Sequence, residues 1–331
     1  MNTLLHLGWQ EGHEPLSDEK KQCLARIITT GQNTYQGLTP AGPCHLKLTG
    51  KLSHAISEKY DLPAVGDWVI TDPQRQVIQQ IIPRRSSFVR NVAGNQDQRQ
   101  VIAANLDEIW LIMSLNHDLN LPRLNRYILN AWDSGALPVI VLTKADLMPD
   151  SAETVKAIQH EHPGIDVLTC SAKTGLGLDS LRQRLTNYRT IALVGSSGIG
   201  KSTLINQLAG TTLQLTGEIR LDDDRGRHTT TSRNLLAVQE AWLIDTPGMR
   251  EFGLWSTDEH LDQTFEDIAD LARECRFNDC RHSNEPGCAI NQAIAEGTLS
   301  SLRFKDYQKL QRELAYLDKR QRDKQKKQKR P

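Results

Sequence analysis

Gly195-Ser196-Ser197-Gly198-Ile199-Gly200-Lys201-Ser202 lies between an apolar run, Ile191 to Val194, and a helical run, Thr203 to Ala209. The order is strand, loop, helix, and the loop carries the Walker A spacing of glycines closed by Lys-Ser. Glycines let main-chain N–H groups close around a phosphate, Lys201 adds a point charge, and Ser202, with Thr203 behind it, can offer a hydroxyl to Mg²⁺. A glycine-rich turn ahead of an ordinary helix would share the composition but not the strand on the other side.

Working outward, Leu243-Ile244-Asp245-Thr246-Pro247-Gly248 ends a second short apolar strand. Asp245 can hold Mg²⁺ through water, and Gly248 has no side chain to keep its N–H from a γ-phosphate. A third strand, Val139 to Leu142, ends in Thr143-Lys144-Ala145-Asp146. Asp146 can accept from the guanine N1–H and 2-amino group, a pattern adenine lacks, which is worth roughly 1.5–3 kcal/mol of discrimination. Lys144 would lie along the base. Ser171-Ala172-Lys173, after the run Ile165 to Thr169, suits a loop that steadies guanine O6 with a main-chain N–H. Each tripeptide is weak alone, and their order and spacing carry the signal. Thr143 stands where many GTPases have Asn. With one hydroxyl and no amide, it is expected to lose hydrogen bonds that bridge the base loop and the phosphate loop.

The base elements at 143–146 and 171–173 precede the phosphate loop, the reverse of the ordinary GTPase order. The chain therefore resembles a circularly permuted GTPase. With Gly226-Arg227-His228-Thr229-Thr230-Thr231, Asp245 to Phe252 and Val65-Gly66-Asp67-Trp68-Val69, it resembles the RsgA (YjeQ) family over residues 24–290. The resemblance implies a circularly permuted P-loop GTPase domain, an N-terminal OB-fold β-barrel and a C-terminal zinc-binding helical domain. It also implies GTP hydrolysis with Mg²⁺, stimulated by the small ribosomal subunit and its rRNA. The expected divisions are residues 1–94, 95–257 and 258–331.

Met249 follows Gly248 where a water-orienting Gln is common, and a thioether cannot orient water. His228, beside the threonine run, is the candidate for that task, as the resemblance also implies. Thr230 would join Ser202 and Asp245 around Mg²⁺, and Lys201 would neutralise charge on the phosphates.

The 331 residues exceed what one core usually supports, and the net charge is zero with 38% hydrophobic residues; two or three domains are expected. No run approaches the about 18 apolar residues a membrane span needs, and no signal peptide opens the chain, so a cytoplasmic protein, expected to be a monomer, is the reading. Cys275, Cys280, His282 and Cys288 fall within fourteen residues. Three thiolates and an imidazole suit tetrahedral Zn²⁺, and with all four positions filled by protein the site reads as structural. Cys23, Cys44 and Cys170 read as plain thiols.

Ahead of the α/β part, Ala25 to Thr29, Cys44 to Leu48, Asp67 to Thr71 and Val77 to Ile82 read as short strands of a small barrel. Arg84, Arg85 and Arg90 beside Phe88 could offer guanidinium and ring to RNA, or be solvated linker charges. From Leu106 on, apolar strands alternate with helical runs in a doubly wound α/β pattern, whose ligands lie beyond the carboxyl ends of the strands. Lys319 to Pro331 hold eight Lys or Arg against Asp323, which reads either as a solvated tail or as a sequence-independent contact to RNA phosphates. No motif marks Met1 to Lys21. Two other readings stay open at this level: an RNA-binding module with a guanine nucleotide clamp in which hydrolysis is incidental, and, if Asp146 fails to select guanine, an ATP-dependent enzyme.

Overall fold

The computed structural model of the chain describes residues 3–10, 16–56, 58–92, 95–116, 119–210, 234–246 and 258–328. Short β-prone runs punctuated by glycine form a closed barrel of β1 (Leu24–Thr30), β2 (Tyr35–Thr39), β3 (Gly42–Leu48), β4 (Trp68–Thr71) and β5 (Val77–Ile81), in the order β1-β2-β3-β5-β4. Only β3 and β5 run parallel. Ala25, Ile27, Tyr35, Leu46, Val69 and Ile78 fill the interior. The sequence did not announce β2, whose Gln36 and Gly37 dilute a β-prone signal although Tyr35 and Gly37 both turn inward.

The Val65–Val69 motif fastens this barrel to the strand that enters the α/β part. Gly66 has φ +92°, and a β-carbon there would stand 2.2 Å from the Ala104 carbonyl oxygen, so only glycine fits. The fully buried Asp67 accepts two hydrogen bonds from Arg84, from Nε at 2.8 Å and Nη2 at 2.7 Å. Arg84 also donates to the Tyr60 and Leu62 carbonyls. Burial works against the Arg84 charge, but Asp67 outweighs it and holds the guanidinium above its ordinary value. For Arg84 and Phe88 the RNA reading is corrected accordingly. Arg84 is a structural clamp, Arg85 pairs with Asp107 at 3.2 Å, and Phe88 is fully buried and cannot stack on a base. A hairpin of β6 (Ser87–Val92) and β7 (Asn95–Ala104) leads into the α/β part.

The central sheet has the order β10-β9-β8-β11-β13-β12, with β8 (Glu108–Ser114), β9 (Leu137–Thr143), β10 (Asp166–Thr169), β11 (Arg189–Val194), β12 (Leu235–Val238) and β13 (Ala241–Asp245). All pairs are parallel except β12 with β13. Period-two alternation splits β8 between two cores: Ile109, Leu111 and Met113 face one side, Trp110 and Ile112 the other. Among the helices, α1 (Thr3–His6), α2 (Asp18–Gln22) and α3 (Gly50–Ala55) belong to the first part of the chain. The first side of the sheet is covered by α4 (Leu121–Ser134) and α5 (Ala152–Glu161), the second by α6 (Leu178–Arg182) and α7 (Lys201–Ala209). Helix α4 starts where Asn120 caps it and Pro122 sits in its first turn, and it stops at Gly135 in the left-handed region. The chain fills the sheet outward from β8 to β10, then returns to the other side of β8 with β11. That reversal makes a switch point between β8 and β11.

The motif-free N-terminal segment turns out to be a strap. Leu4 and Leu7 are buried in the core shared by barrel and sheet. The His6 carbonyl accepts from Trp242 Nε1 at 3.0 Å, and Trp9 packs edge-on against Trp68 with centroids 5.0 Å apart. Arg26 of β1 lies fully buried between Trp68 and Trp242, 5.5 and 5.6 Å from the ring centroids, and donates to the Leu7 carbonyl and Thr190 Oγ1. Burial pushes this guanidinium down to about 9, which still leaves it charged at neutral pH.

The remaining helices, α8 (Asp258–Thr264), α9 (Glu266–Arg273), α10 (Ala289–Glu296) and α11 (Ser301–Gln328), pack around Phe265, Ile268, Leu310 and Leu314, and Leu129 of α4 joins that core. Helix α11 reaches about 42 Å at 1.5 Å per residue, carrying the basic run as helix to Gln328. No helix among the described residues is long and apolar enough to cross a membrane. Arg303 is the hub: it bonds Asp267 through Nε at 2.7 Å and Nη2 at 2.8 Å, reaches the Glu161 carbonyl at 2.6 Å, and stacks 4.8 Å from the Phe265 centroid.

Beside this hub, burial and then the charge of Arg303 push the buried His162 down from 6.5 to about 3. Between those values the unfolded chain binds one more proton than the folded one, so stability falls as pH falls. The slope is about 1.4 kcal/mol per pH unit. Denaturant titrations from pH 7 to pH 5 are expected to show the wild type losing about 2 kcal/mol more than His162→Leu.

Candidate functional site

The loop Gly195–Ser202 follows β11 at the carboxyl end of the sheet and is closed by the first turn of α7. Its fit at the switch point is tight: a β-carbon on Gly195 would stand 2.6 Å from the Ile112 carbonyl oxygen of β8. Gly198 and Gly200 hold φ of +77° and +106°, which turns the backbone through the loop. Lys201, buried, donates from Nζ to the carbonyls of Gly195 at 2.7 Å and Ser196 at 3.0 Å. Ser202 Oγ donates to Asp245 Oδ2 at 3.2 Å, because parallel pairing sets Asp245 of β13 beside Leu193 of β11. Asp245 Oδ1 is buried with no hydrogen-bond partner among the described residues. Burial raises the Asp245 carboxyl, with Lys201 opposing, and lowers the Lys201 ammonium, with Asp245 opposing. A hydroxyl beside a carboxylate with one spare oxygen is a donor set that suits a hard cation such as Mg²⁺.

The base elements meet next door. Lys144 takes a left-handed conformation, φ +57°, and throws the chain into the 3₁₀ turn Ala145–Leu147. Asp146 Oδ1 accepts from Ser171 Oγ at 2.6 Å, and Ala145 N donates to the Cys170 carbonyl at 3.1 Å. The buried Ser171 hydroxyl also accepts from Thr174 N, which shapes the turn through Ala172 and the exposed Lys173. Ser197, Ser202 and Thr203 are exposed, while Ile199 is anchored in the core.

The four ligand atoms of Cys275, Cys280, His282 and Cys288 all lie within 4.8 Å of one another. Cys275 Sγ and Cys288 Sγ are each 3.6 Å from His282 Nδ1 and 3.9 Å from each other. A tetrahedral zinc with bonds of about 2.3 Å to sulfur and 2.0 Å to nitrogen needs about 3.5 Å between sulfur and nitrogen and about 3.8 Å between sulfurs. The cluster therefore fits zinc. The Glu285 carboxylate holds its loop by accepting from Ser283 N at 2.7 Å and Arg281 N at 3.1 Å, and Cys275 and Cys288 belong to the core under α11.

Residues 81–255 match the RsgA GTPase family, and the chain is 50% identical over 306 residues to the small ribosomal subunit biogenesis GTPase RsgA 2 of Lactiplantibacillus plantarum, covering 91% of this chain and 86% of that one. The chain belongs to the RsgA GTPase family. A second RsgA, from Opitutus terrae, is 40% identical over 336 residues, covering 96% of this chain and 91% of its own. Among solved structures, YjeQ from Thermotoga maritima aligns with a TM-score of 0.63 at 24% identity, covering 88% of this chain and 98% of that one. YloQ, described as a circularly permuted GTPase, aligns with a TM-score of 0.61 at 21% identity, covering 93% and 98%. These two likenesses speak to the fold, and they agree with the permuted order of the RsgA domain here.

One expectation for this RsgA chain needs correcting. The Thr143 hydroxyl, which was expected to lose the bridge between base and phosphate loops, lies 3.2 Å from the Met113 carbonyl and 3.3 Å from that of Ile199. A shorter side chain thus still joins β9 to the phosphate loop. His228, Thr230, Gly248 and Met249 lie outside the described residues. Sequence reasoning missed Arg123, whose Nη1 donates to Ser196 Oγ at 2.8 Å; its only signal was an arginine opening the helix after a switch-point strand. Thr143→Val is expected to lower unfolding free energy by about 1 kcal/mol, and Thr143→Ser to leave it near wild type, when both are followed by chemical denaturation.

Proposed function

We propose that this chain hydrolyses GTP to GDP and phosphate while acting in late maturation of the small ribosomal subunit, as a cytoplasmic monomer, and that the subunit stimulates turnover. Support comes above all from one juxtaposition beyond the carboxyl ends of the strands. Asp146 bonds Ser171 in the pair assigned to the base, and Ser202 bonds Asp245 near Lys201 in the set assigned to the phosphates. The Thr143 hydroxyl, against Ile199, joins the two. The names of the RsgA relatives supply the subunit.

Each residue then has a task. Asp146 accepts from the guanine edge, Lys144 lies along the base, and the Ser171–Lys173 turn faces O6. Main-chain N–H groups of residues 195–203 and Lys201 hold the phosphates, with Gly248 N–H at the γ end. Ser202, Asp245 and Thr230 are the residues that would hold Mg²⁺, which supplies charge neutralisation on the phosphates. Because Met249 cannot orient water, His228 is assigned that role, and basal turnover is slow until the subunit positions its loop.

Partner-completed GTPase sites gain about 10³–10⁵ in rate, so single-turnover hydrolysis is expected to rise by a factor in that range when small subunits are added. His228→Ala should lose most of that rise while still binding GTP. An unchanged rate with subunits would overturn the proposal, and a fully stimulated His228→Ala would remove His228 from it.

Cys275, Cys280, His282 and Cys288 would hold one structural zinc, leaving no open position for chemistry. Binding in small motifs of this kind is worth about 10 kcal/mol or more. Metal analysis is expected to find one zinc per chain. Chelation should loosen the loop between α9 and α10, seen as increased protease cleavage there, with the α/β part intact.

A further inference from the structure

Helix α4 touches both the phosphate loop and the C-terminal domain. Asn120 caps it, its Oδ1 accepting from Arg123 N at 2.8 Å, so the first turn is fixed at the end of β8. From that turn Arg123 Nη1 crosses the switch point to Ser196 Oγ at 2.8 Å. Ser196 is thereby gripped twice, its hydroxyl by Arg123 and its carbonyl by Lys201 Nζ at 3.0 Å. A phosphate drawing the Lys201 ammonium toward itself would release the second grip and leave the first.

Three residues on, nearly the same face of the helix meets α11. Arg126 forks onto Glu313, with both bonds 2.7 Å, and Asn125 Nδ2 donates to Asp306 Oδ2 at 2.7 Å. The fork holds the Arg126 guanidinium above its ordinary value, outweighing burial. Asp133 at the far end of α4 stands 3.7 Å from His260 of α8, and Leu129 sits in the C-terminal core. A helix held in this way shifts as a unit, so a change in how α11 docks arrives at Arg123 as a change in its reach to Ser196.

We propose that Arg123 is a positioning residue for the phosphate loop, acting through Ser196, and that the Arg126–Glu313 pair sets it through α4. Docking of the basic helix α11 and nucleotide affinity are then linked, each altering the other by the same factor. This rests on the nucleotide-site reading above.

The test is equilibrium titration of the full chain with fluorescent GDP and with a fluorescent non-hydrolysable GTP analogue. Arg123→Ala is expected to weaken the GTP analogue about tenfold, the scale of one hydrogen bond from a charged donor. Ser196→Ala should match it, and the double variant should be no weaker than either single. Arg123→Lys, which can still donate to Ser196, should recover part of the loss. Arg126→Glu, on the α11 face, should weaken binding about threefold in the wild-type background and not at all in Arg123→Ala, while Arg126→Glu with Glu313→Arg should restore it. Thermal midpoints separate affinity from folding: Ser196→Ala should melt as wild type does and still lose affinity. Unchanged affinity in Arg123→Ala and Ser196→Ala would overturn the positioning role. Multiplying effects of Arg123→Ala and Arg126→Glu would overturn the link through α4. Wild-type protein that binds neither nucleotide would instead overturn the nucleotide-site reading, and this proposal with it.

Discussion

Parallel pairing of β11 with β8 on one side and β13 on the other is the constraint that organises the whole molecule. It sets Asp245 beside Leu193 and Val194 beside Leu111, so the carboxyl ends of three neighbouring strands point the same way, where ligands of such sheets lie. Gly195 must lack a side chain because the Ile112 carbonyl of β8 occupies that space. Ser202 meets Asp245 because their parent strands are neighbours. Cutting the chain elsewhere, as the permutation does, leaves these adjacencies intact, since a sheet does not register which connection was made first.

What the permutation does change is which segments are tied to which. The chain enters the α/β part through a hairpin braced by Gly66, Asp67 and Arg84, and leaves β13 for a helical domain that folds back onto α4. Barrel, sheet and C-terminal helices are thus joined through buried charges as well as apolar contact: Arg26 between Trp68 and Trp242, Arg84 on Asp67, and Arg303 on the Glu161 carbonyl at the end of α5. Removing one partner of such a pair strands the other, so these joints set geometry more than they add stability.

The sequence made the α/β rhythm and the phosphate loop legible because each has a local cause: glycines at fixed spacing, apolar runs of strand length, and Asn120, Pro122 and Gly135 bounding a helix. The Cys/His cluster was legible for the same reason, its ligands lying within fourteen residues of sequence. Thr143 was misjudged because a missing amide is visible in sequence, whereas the approach of the Ile199 carbonyl is not. Arg84 and Phe88 were misjudged because composition shows charge and ring but not burial. The N-terminal strap left no signature and Arg123 only a faint one, because what defines them is a partner more than sixty residues away.

Among the described residues, the two margins of the central sheet are both four-residue strands, β10 and β12. On the β12 side, Asn234 bridges to Thr29 of the barrel and accepts from its hydroxyl at 3.1 Å; on the β10 side, Asp166 carries an ion pair to Arg184 at 2.8 Å. Short borders offer an incoming chain few ladder positions, and a neighbouring domain or a charge already occupies part of each. The sheet is thereby poorly suited to templating aggregates of its own kind.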